Sequence, residues 1–151
     1  MDNKLQATVD IGSHSCILLI AAFEDAPASS PAETAEAEVK PRQILVPKLQ
    51  KVEICRLGED IYEHGAITQA RIEELSRVLT KFRMDLHALG ADLKAAVMTE
   101  AMRKASNPDE VLDAAEKALW MRPRIISGEE EGKLTYRSVK EWHGEGIVTR
   151  S

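Results

Sequence analysis

A basic excess, a cysteine motif and an apolar run of membrane-spanning length are all missing from this 151-residue sequence. Its 25 acidic side chains outnumber 20 basic ones, giving a formal net charge of -5. Binding along the backbone of DNA or RNA needs a net basic face, so a nucleic-acid role is disfavoured. Any anionic ligand must instead be held by a few locally placed groups. The two cysteines, Cys16 and Cys55, have neither C-x-x-C spacing nor a histidine partner, and both lie in apolar stretches. They read as buried, reduced thiols rather than as a disulfide or a metal site, and a cytoplasmic address is the expectation. The longest apolar run, residues 16–23, falls well short of the roughly 20 residues a membrane span requires. The N-terminus carries no basic-then-apolar signal, so neither a targeting segment nor a membrane partner is expected. His64, His87 and His143 show no ligand spacing, and no internal repeat is visible.

What is present is the composition of an ordinary globular domain, 44% hydrophobic and 30% charged, long enough for one sizeable core. Residues 7–10 and 16–23 read as two strands around the turn Gly12-Ser13-His14-Ser15, a spacing that suits a hairpin. Residues 24–43 turn to Ala, Glu, Ser and Pro, with little large enough to bury, and read as a mobile insertion. Residues 44–57 return to a β pattern, bent at Pro47 and placed near a sheet edge. Thr68 is a candidate helix cap, Ile67 and Ile72 a staple across it, and Ile72, Leu75, Leu79, Phe82, Leu86 and Leu89 recur at helical spacing up to Gly90. A short strand over 93–98 follows. A helix capped by Asn107, with Pro108 in its first turn, runs to about Trp120. A strand over 124–126 leads to the capping box Ser127-Gly128-Glu129-Glu130 and a final helix. The expected architecture is α/β, a mixed sheet with element order β-β-β-α-β-α-β-α.

Three stretches carry chemistry. Val9-Asp10-Ile11-Gly12-Ser13-His14-Ser15 places a carboxylate at a strand end before small residues whose backbone N–H groups can cradle phosphate oxygens, and Asp10 can hold a hydrated divalent cation beside them. Taken alone, the same residues also make a plain hairpin turn in which Gly12 supplies a positive φ. Thr99-Glu100-Ala101-Met102-Arg103 follows a strand directly, where α/β folds tend to build sites. The planar fork of Arg103 suits phosphoryl oxygens, although Glu100 or Asp109 could equally pair with it. In Ser127-Gly128-Glu129-Glu130-Glu131 the capping box accounts for Glu130 and in part for Glu129. Successive helix residues project about 100° apart, so Glu131 leaves the capping face. Its carboxylate could orient and deprotonate a water.

Taken in this order, the stretches resemble the exopolyphosphatase / guanosine pentaphosphate phosphohydrolase family. Asp10-Ile11-Gly12-Ser13-x-Ser15 is similar to its first phosphate loop and Arg56-Leu57-Gly58-Glu59 to its following strand end. Thr99-x-Ala101-x-Arg103-x-Ala105-x-Asn107 is similar to its central motif, and Ile126-Ser127-Gly128-Glu129-Glu130-Glu131 to its acidic helix start. The resemblance runs from about residue 7 to 139 and implies a ribonuclease-H-like lobe of the actin-like ATPase superfamily. It further implies Mg²⁺-dependent hydrolysis of the terminal phosphoanhydride of inorganic polyphosphate, guanosine pentaphosphate or both. On this resemblance Glu131 is the base that activates water, Arg103 lies near the scissile phosphate, Gly12, Ser13, His14 and Ser15 bind phosphate, and Asp10 serves the metal. Lys104 and Arg56 are further candidate cations.

The sequence departs from the family pattern at two positions, His14 where asparagine is usual and Ile17 where a basic residue is common. A second phosphate loop of the form Asp-x-Gly-Gly-Gly-Ser is expected soon after Val148, which makes residues 1–151 a single N-terminal phosphate-binding lobe lacking its companion. Homodimerisation of the full-length protein is left open. A non-catalytic phosphate or nucleotide sensor of the same fold is the alternative function, and a sugar-kinase or actin-like ATPase lobe a third.

Overall fold

A computed structural model describes residues 4–25, 43–127 and 129. The chain opens with a meander of β1 (Leu5–Ile11), β2 (Ser15–Asp25) and β3 (Gln43–Ile54). Helices α1 (Leu57–His64) and α2 (Gln69–Leu89) follow, then β4 (Asp92–Met98), a 3₁₀ helix (Glu100–Lys104), α3 (Pro108–Leu119) and the short β5 (Arg124–Ile125). The five strands form one mixed sheet in the order β3-β2-β1-β4-β5. β1–β2 and β2–β3 are antiparallel, whereas β1–β4 and β4–β5 are parallel.

Alternation along the strands decides which sheet face is dry. Register brings Val9 beside Leu18 and Ala96, and Ile11 beside Cys16 and Met98. All six are buried in one cluster with Leu57 of α1, Leu75, Leu79, Phe82 and Leu86 of α2, and Val111, Ala115 and Leu119 of α3. Side chains of successive strand residues point to opposite faces, so Thr8, Asp10, Ile17, Leu19 and Val97 lie on the other face. On the edge strand β3, Val52 and Ile54 remain 53% and 46% exposed.

Several local readings of the sequence hold. Thr68 accepts a hydrogen bond from Arg71 N–H at 3.3 Å, and both staple isoleucines, Ile67 and Ile72, are buried. Gly90 closes α2 at φ 65°, the left-handed region that glycine enters without steric cost. Pro47 lies on the edge strand, opposite Ala21 where the β2–β3 register shifts, a position that needs no N–H donor.

The sequence-based element order needs a correction, because it omits α1. Residues 55–57 do not continue β3. Arg56 takes a left-handed backbone, φ 53°, and turns the chain into a helix whose first turn carries Glu59 and Asp60. Arg56-Leu57-Gly58-Glu59 is therefore a helix start rather than a strand end. The insertion read as 24–43 is shorter at both ends, since β2 continues to Asp25 and β3 begins at Gln43, and residues 26–42 lie outside the described residues. Of the final helix expected after Ser127, Glu129 alone is among the described residues.

The α1–α2 junction is held by two polar clamps. Asp60, only 5% exposed, accepts from Thr68 N–H (2.9 Å), Thr68 Oγ1 (2.8 Å) and Arg71 Nε (3.1 Å). Burial pushes the Asp60 pKa up, but the Thr68 donors and the Arg71 guanidinium outweigh it and hold the carboxyl below the ordinary aspartate range. The second clamp is Asn107. Its side chain does not cap α3; it pairs instead with the Ile67 backbone, Oδ1 accepting from Ile67 N–H and Nδ2 donating to Ile67 C=O, both at 2.9 Å.

Candidate functional site

Parallel strands end at the same edge of a sheet, and this property assembles the site. Asp10 pairs with Val97 of β4, and Val97 with Arg124 of β5, so β1, β4 and β5 all terminate at one edge. Two backbone bonds lace the exits together, from Thr99 N–H to Ile11 C=O and from Ile126 N–H to Met98 C=O, each 3.0 Å. The 12–15 turn, the Thr99–Arg103 stretch and Ser127 consequently leave from neighbouring strand ends, about 5 Å apart from one strand to the next.

The turn is tight and braced from below. Gly12 N–H donates to Ser15 C=O at 2.9 Å. Gly12 does not adopt a positive φ, so the plain-hairpin account of this glycine is corrected. Its small size matters because a Cβ here would lie 3.1 Å from the Ser15 carbonyl oxygen. The carbonyl of His14 accepts from both Cys55 N–H (2.9 Å) and Arg56 N–H (3.0 Å), and that of Ser13 accepts from Gly58 N–H at 2.8 Å. Gly58 permits this approach, since a Cβ on it would meet the Ser13 Cβ at 3.1 Å. In a trans peptide the C=O and the following N–H point in opposite directions. With the Ser13 and His14 carbonyls turned toward the 55–58 segment, the N–H groups of His14 and Ser15 face away from it, the direction from which an anion would approach.

Asp10 stands at the end of β1 with its Oδ1 shielded from solvent. Ile17, one of the two departures from the family pattern, lies directly across from it on β2, so an apolar side chain borders the carboxylate where a basic residue would have offset its charge. His14, the other departure, is exposed at the tip of the turn.

Arg103 reaches this edge from the 3₁₀ helix, whose Met102 is fully buried. Its Nη2 donates to Ile125 C=O at 3.0 Å, tying the helix to the end of β5. The ion pair seen at Asp109 is with Arg122, at 3.9 Å. A guanidinium carries five donors, so one bond to a carbonyl positions Arg103 without exhausting it. Glu131 lies outside the described residues, as do Gly128 and Glu130; the chain leading there departs from this same edge through Ile126 and Ser127.

Sequence reasoning missed one contact at the base of the turn. Cys16 and Cys55 are 39 positions apart, yet their sulfur atoms lie 2.9 Å from each other in the core. Among the described residues no group of three or more His, Cys, Asp and Glu side chains is placed to enclose a metal. A hard cation held by one carboxylate, water and substrate oxygens would not need such a cage, and Asp10 at the edge fits that donor set.

Residues 36–149 match the family model described as the Ppx/GppA phosphatase family. The chain is 30% identical over 149 residues to a guanosine-5'-triphosphate,3'-diphosphate pyrophosphatase of Aeromonas hydrophila, covering 99% of this chain and 26% of that protein. It is 29% identical over 89 residues to exopolyphosphatase 1 of Mycobacterium tuberculosis, covering 59% of this chain and 26% of that one. A solved structure of the Aquifex aeolicus PPX-GPPA enzyme superposes with a TM-score of 0.75 at 26% identity, over 97% of this chain and 43% of that one. The chain thus spans between 19% and 26% of the length of these curated relatives and a bifunctional 3-dehydroquinate synthase/phosphatase of Fusobacterium nucleatum.

Proposed function

Because the chain belongs to the Ppx/GppA phosphatase family, we propose that it forms the phosphate-binding lobe of a hydrolase that releases terminal phosphate from inorganic polyphosphate or guanosine pentaphosphate by attack of water. One observation carries this reading: Asp10, the braced 12–15 turn and Arg103 meet at a single sheet edge. The printed activities of the relatives supply the substrate class. The strand order β3-β2-β1-β4-β5, with β2 antiparallel to both neighbours, supports a ribonuclease-H-like lobe of the actin-like ATPase kind.

Phosphoryl transfer asks a protein chiefly to position its reactants and to offset charge on the equatorial oxygens. The N–H groups of the turn, with the hydroxyls of Ser13 and Ser15, bind the phosphate chain, and Arg103 donates to oxygens beside the scissile bond. A Mg²⁺ ion held by Asp10 would add positive charge next to the same oxygens. Glu131, one helical step past the capping box, takes a proton from the attacking water. Each role suits an acidic chain, in which cations for a polyanionic substrate have to be concentrated at one place.

The test is Glu131→Gln in the whole protein. Turnover of polyphosphate and guanosine pentaphosphate should fall at least about 10²-fold, the usual worth of a positioned base, with phosphate binding retained. Undiminished turnover removes Glu131 from the mechanism. The apolar Ile17 beside Asp10 favours a second reading, a sensor that binds phosphate without hydrolysis. It predicts that the parent protein binds these substrates and releases no phosphate.

A further inference from the structure

Cys16 and Cys55 bear directly on the turn and take no part in the phosphate chemistry. Cys16 follows Ser15 at the start of β2. Cys55 lies between the end of β3 and the left-handed Arg56, and its own N–H is one of the donors that brace the turn through His14 C=O. Their relative exposures are 0% and 2%. A disulfide requires sulfurs about 2.05 Å apart, so a closing movement of about 0.9 Å from the observed 2.9 Å separates thiol pair from bond.

We propose that Cys16 and Cys55 form a reversible intramolecular disulfide that covalently fastens the 12–15 turn to the start of α1, making the turn's rigidity responsive to peroxide. The two thiols are not equivalent. The contact between the two sulfurs and burial raise the Cys16 pKa, whereas the same contact lowers that of Cys55 against the effect of burial. Cys16 lies within β2, whereas Cys55 follows the end of β3 at the joint itself, so opening of the joint uncovers the Cys55 sulfur first and makes it the nucleophile. When the joint between the turn and the 55–58 segment opens, the Cys55 thiolate attacks hydrogen peroxide, the O–O bond breaks, hydroxide leaves and Cys55 becomes a sulfenic acid. The Cys16 sulfur then attacks that sulfur; the S–S bond forms, the S–O bond breaks, and the hydroxyl departs as water with the Cys16 proton. In sum two thiols give up two protons and two electrons, and one hydrogen peroxide becomes two waters. Thiol reductants reverse the step by exchange. In the oxidised form, the contacts of Ser13 and His14 with Cys55, Arg56 and Gly58 no longer open freely.

The test needs only the wild-type chain, so no variant has to fold. After treatment with a small excess of hydrogen peroxide under native conditions, the intact mass should fall by about 2 Da. The thiol titre in denaturant should drop from two to zero, and a non-reducing digest should yield one peptide joining positions 16 and 55. Dithiothreitol should restore the starting mass, and amide exchange at Cys55, Arg56 and Gly58 should be slower in the oxidised chain than in the reduced one. Mass gains of about 16 or 32 Da without the lighter species, the marks of independent oxidation, would overturn the proposal. So would persistence of both thiols under conditions that oxidise them in the unfolded chain. A disulfide that forms without slowing those amides would overturn the coupling to the turn.

Discussion

Asp60 couples the stability of this fold to pH through a single buried carboxylate. Its pKa is depressed in the folded state, and the stability it contributes is complete above the unfolded value of about 4. That contribution is lost as pH falls through the lower folded value. Thermal midpoints recorded from pH 7 to pH 2 should therefore decline below about pH 4 in the parent and more shallowly in Asp60→Asn. At neutral pH, Asp60→Ala should cost about 2–3 kcal/mol, because Thr68 and Arg71 lose a charged acceptor; a loss within error would mean that the junction is held otherwise. Gly58 makes the matching steric case. In Gly58→Ala the new methyl meets Ser13 at 3.1 Å, and we expect about 1–2 kcal/mol of destabilisation with weaker phosphate binding, measured by denaturant unfolding and titration with tripolyphosphate. Neither role is legible in the sequence: Asp60 looks like an ordinary first-turn acid, and its partners become visible only once the chain folds back at Gly65.

Periodicity separated the legible elements from the hidden one. α2 runs for 21 residues with six buried positions at helical spacing, β1 alternates in burial, and β2 coincides with an unbroken apolar run, so pattern alone located them. α1 has eight residues, two of them buried, and is entered through a left-handed arginine, which leaves too short a record to tell from the end of a strand. Asn107 misled for a different reason. An asparagine before proline is a reasonable cap by local rules, but here a tertiary partner, the Ile67 backbone, claims its amide. α3 ends on Trp120, a residue with a Cβ in the left-handed region, φ 65°, 72% exposed and lying under the Arg83 guanidinium at 3.9 Å. Truncating the ring removes that contact whatever replaces it. Trp120→Gly should accordingly be about 1 kcal/mol more stable than Trp120→Ala, and equal thermal midpoints would show that the cap is unstrained.

Across the whole molecule, the sheet turns motifs scattered along the sequence into neighbours. Residues 10–15 and 99–103 are separated by most of the described chain, and they meet because β1 and β4 are adjacent, parallel and in register at Asp10 and Val97. Strand-end chemistry could be read from sequence because small and acidic residues following an apolar run are conspicuous. Adjacency could not, since it depends on strand order, and the same lack of long-range pairing hid the Cys16–Cys55 contact. The proposed function requires phosphate to bind at this edge. Titration of the isotopically labelled chain with tripolyphosphate and Mg²⁺, followed by amide chemical shifts, tests it most directly. Ser13, His14 and Ser15 should shift together with Thr99 and Arg103 while Gln69 and Lys117, in the groove between α2 and α3, stay still. Shifts centred on that groove, or none at the turn at millimolar ligand, would contradict it.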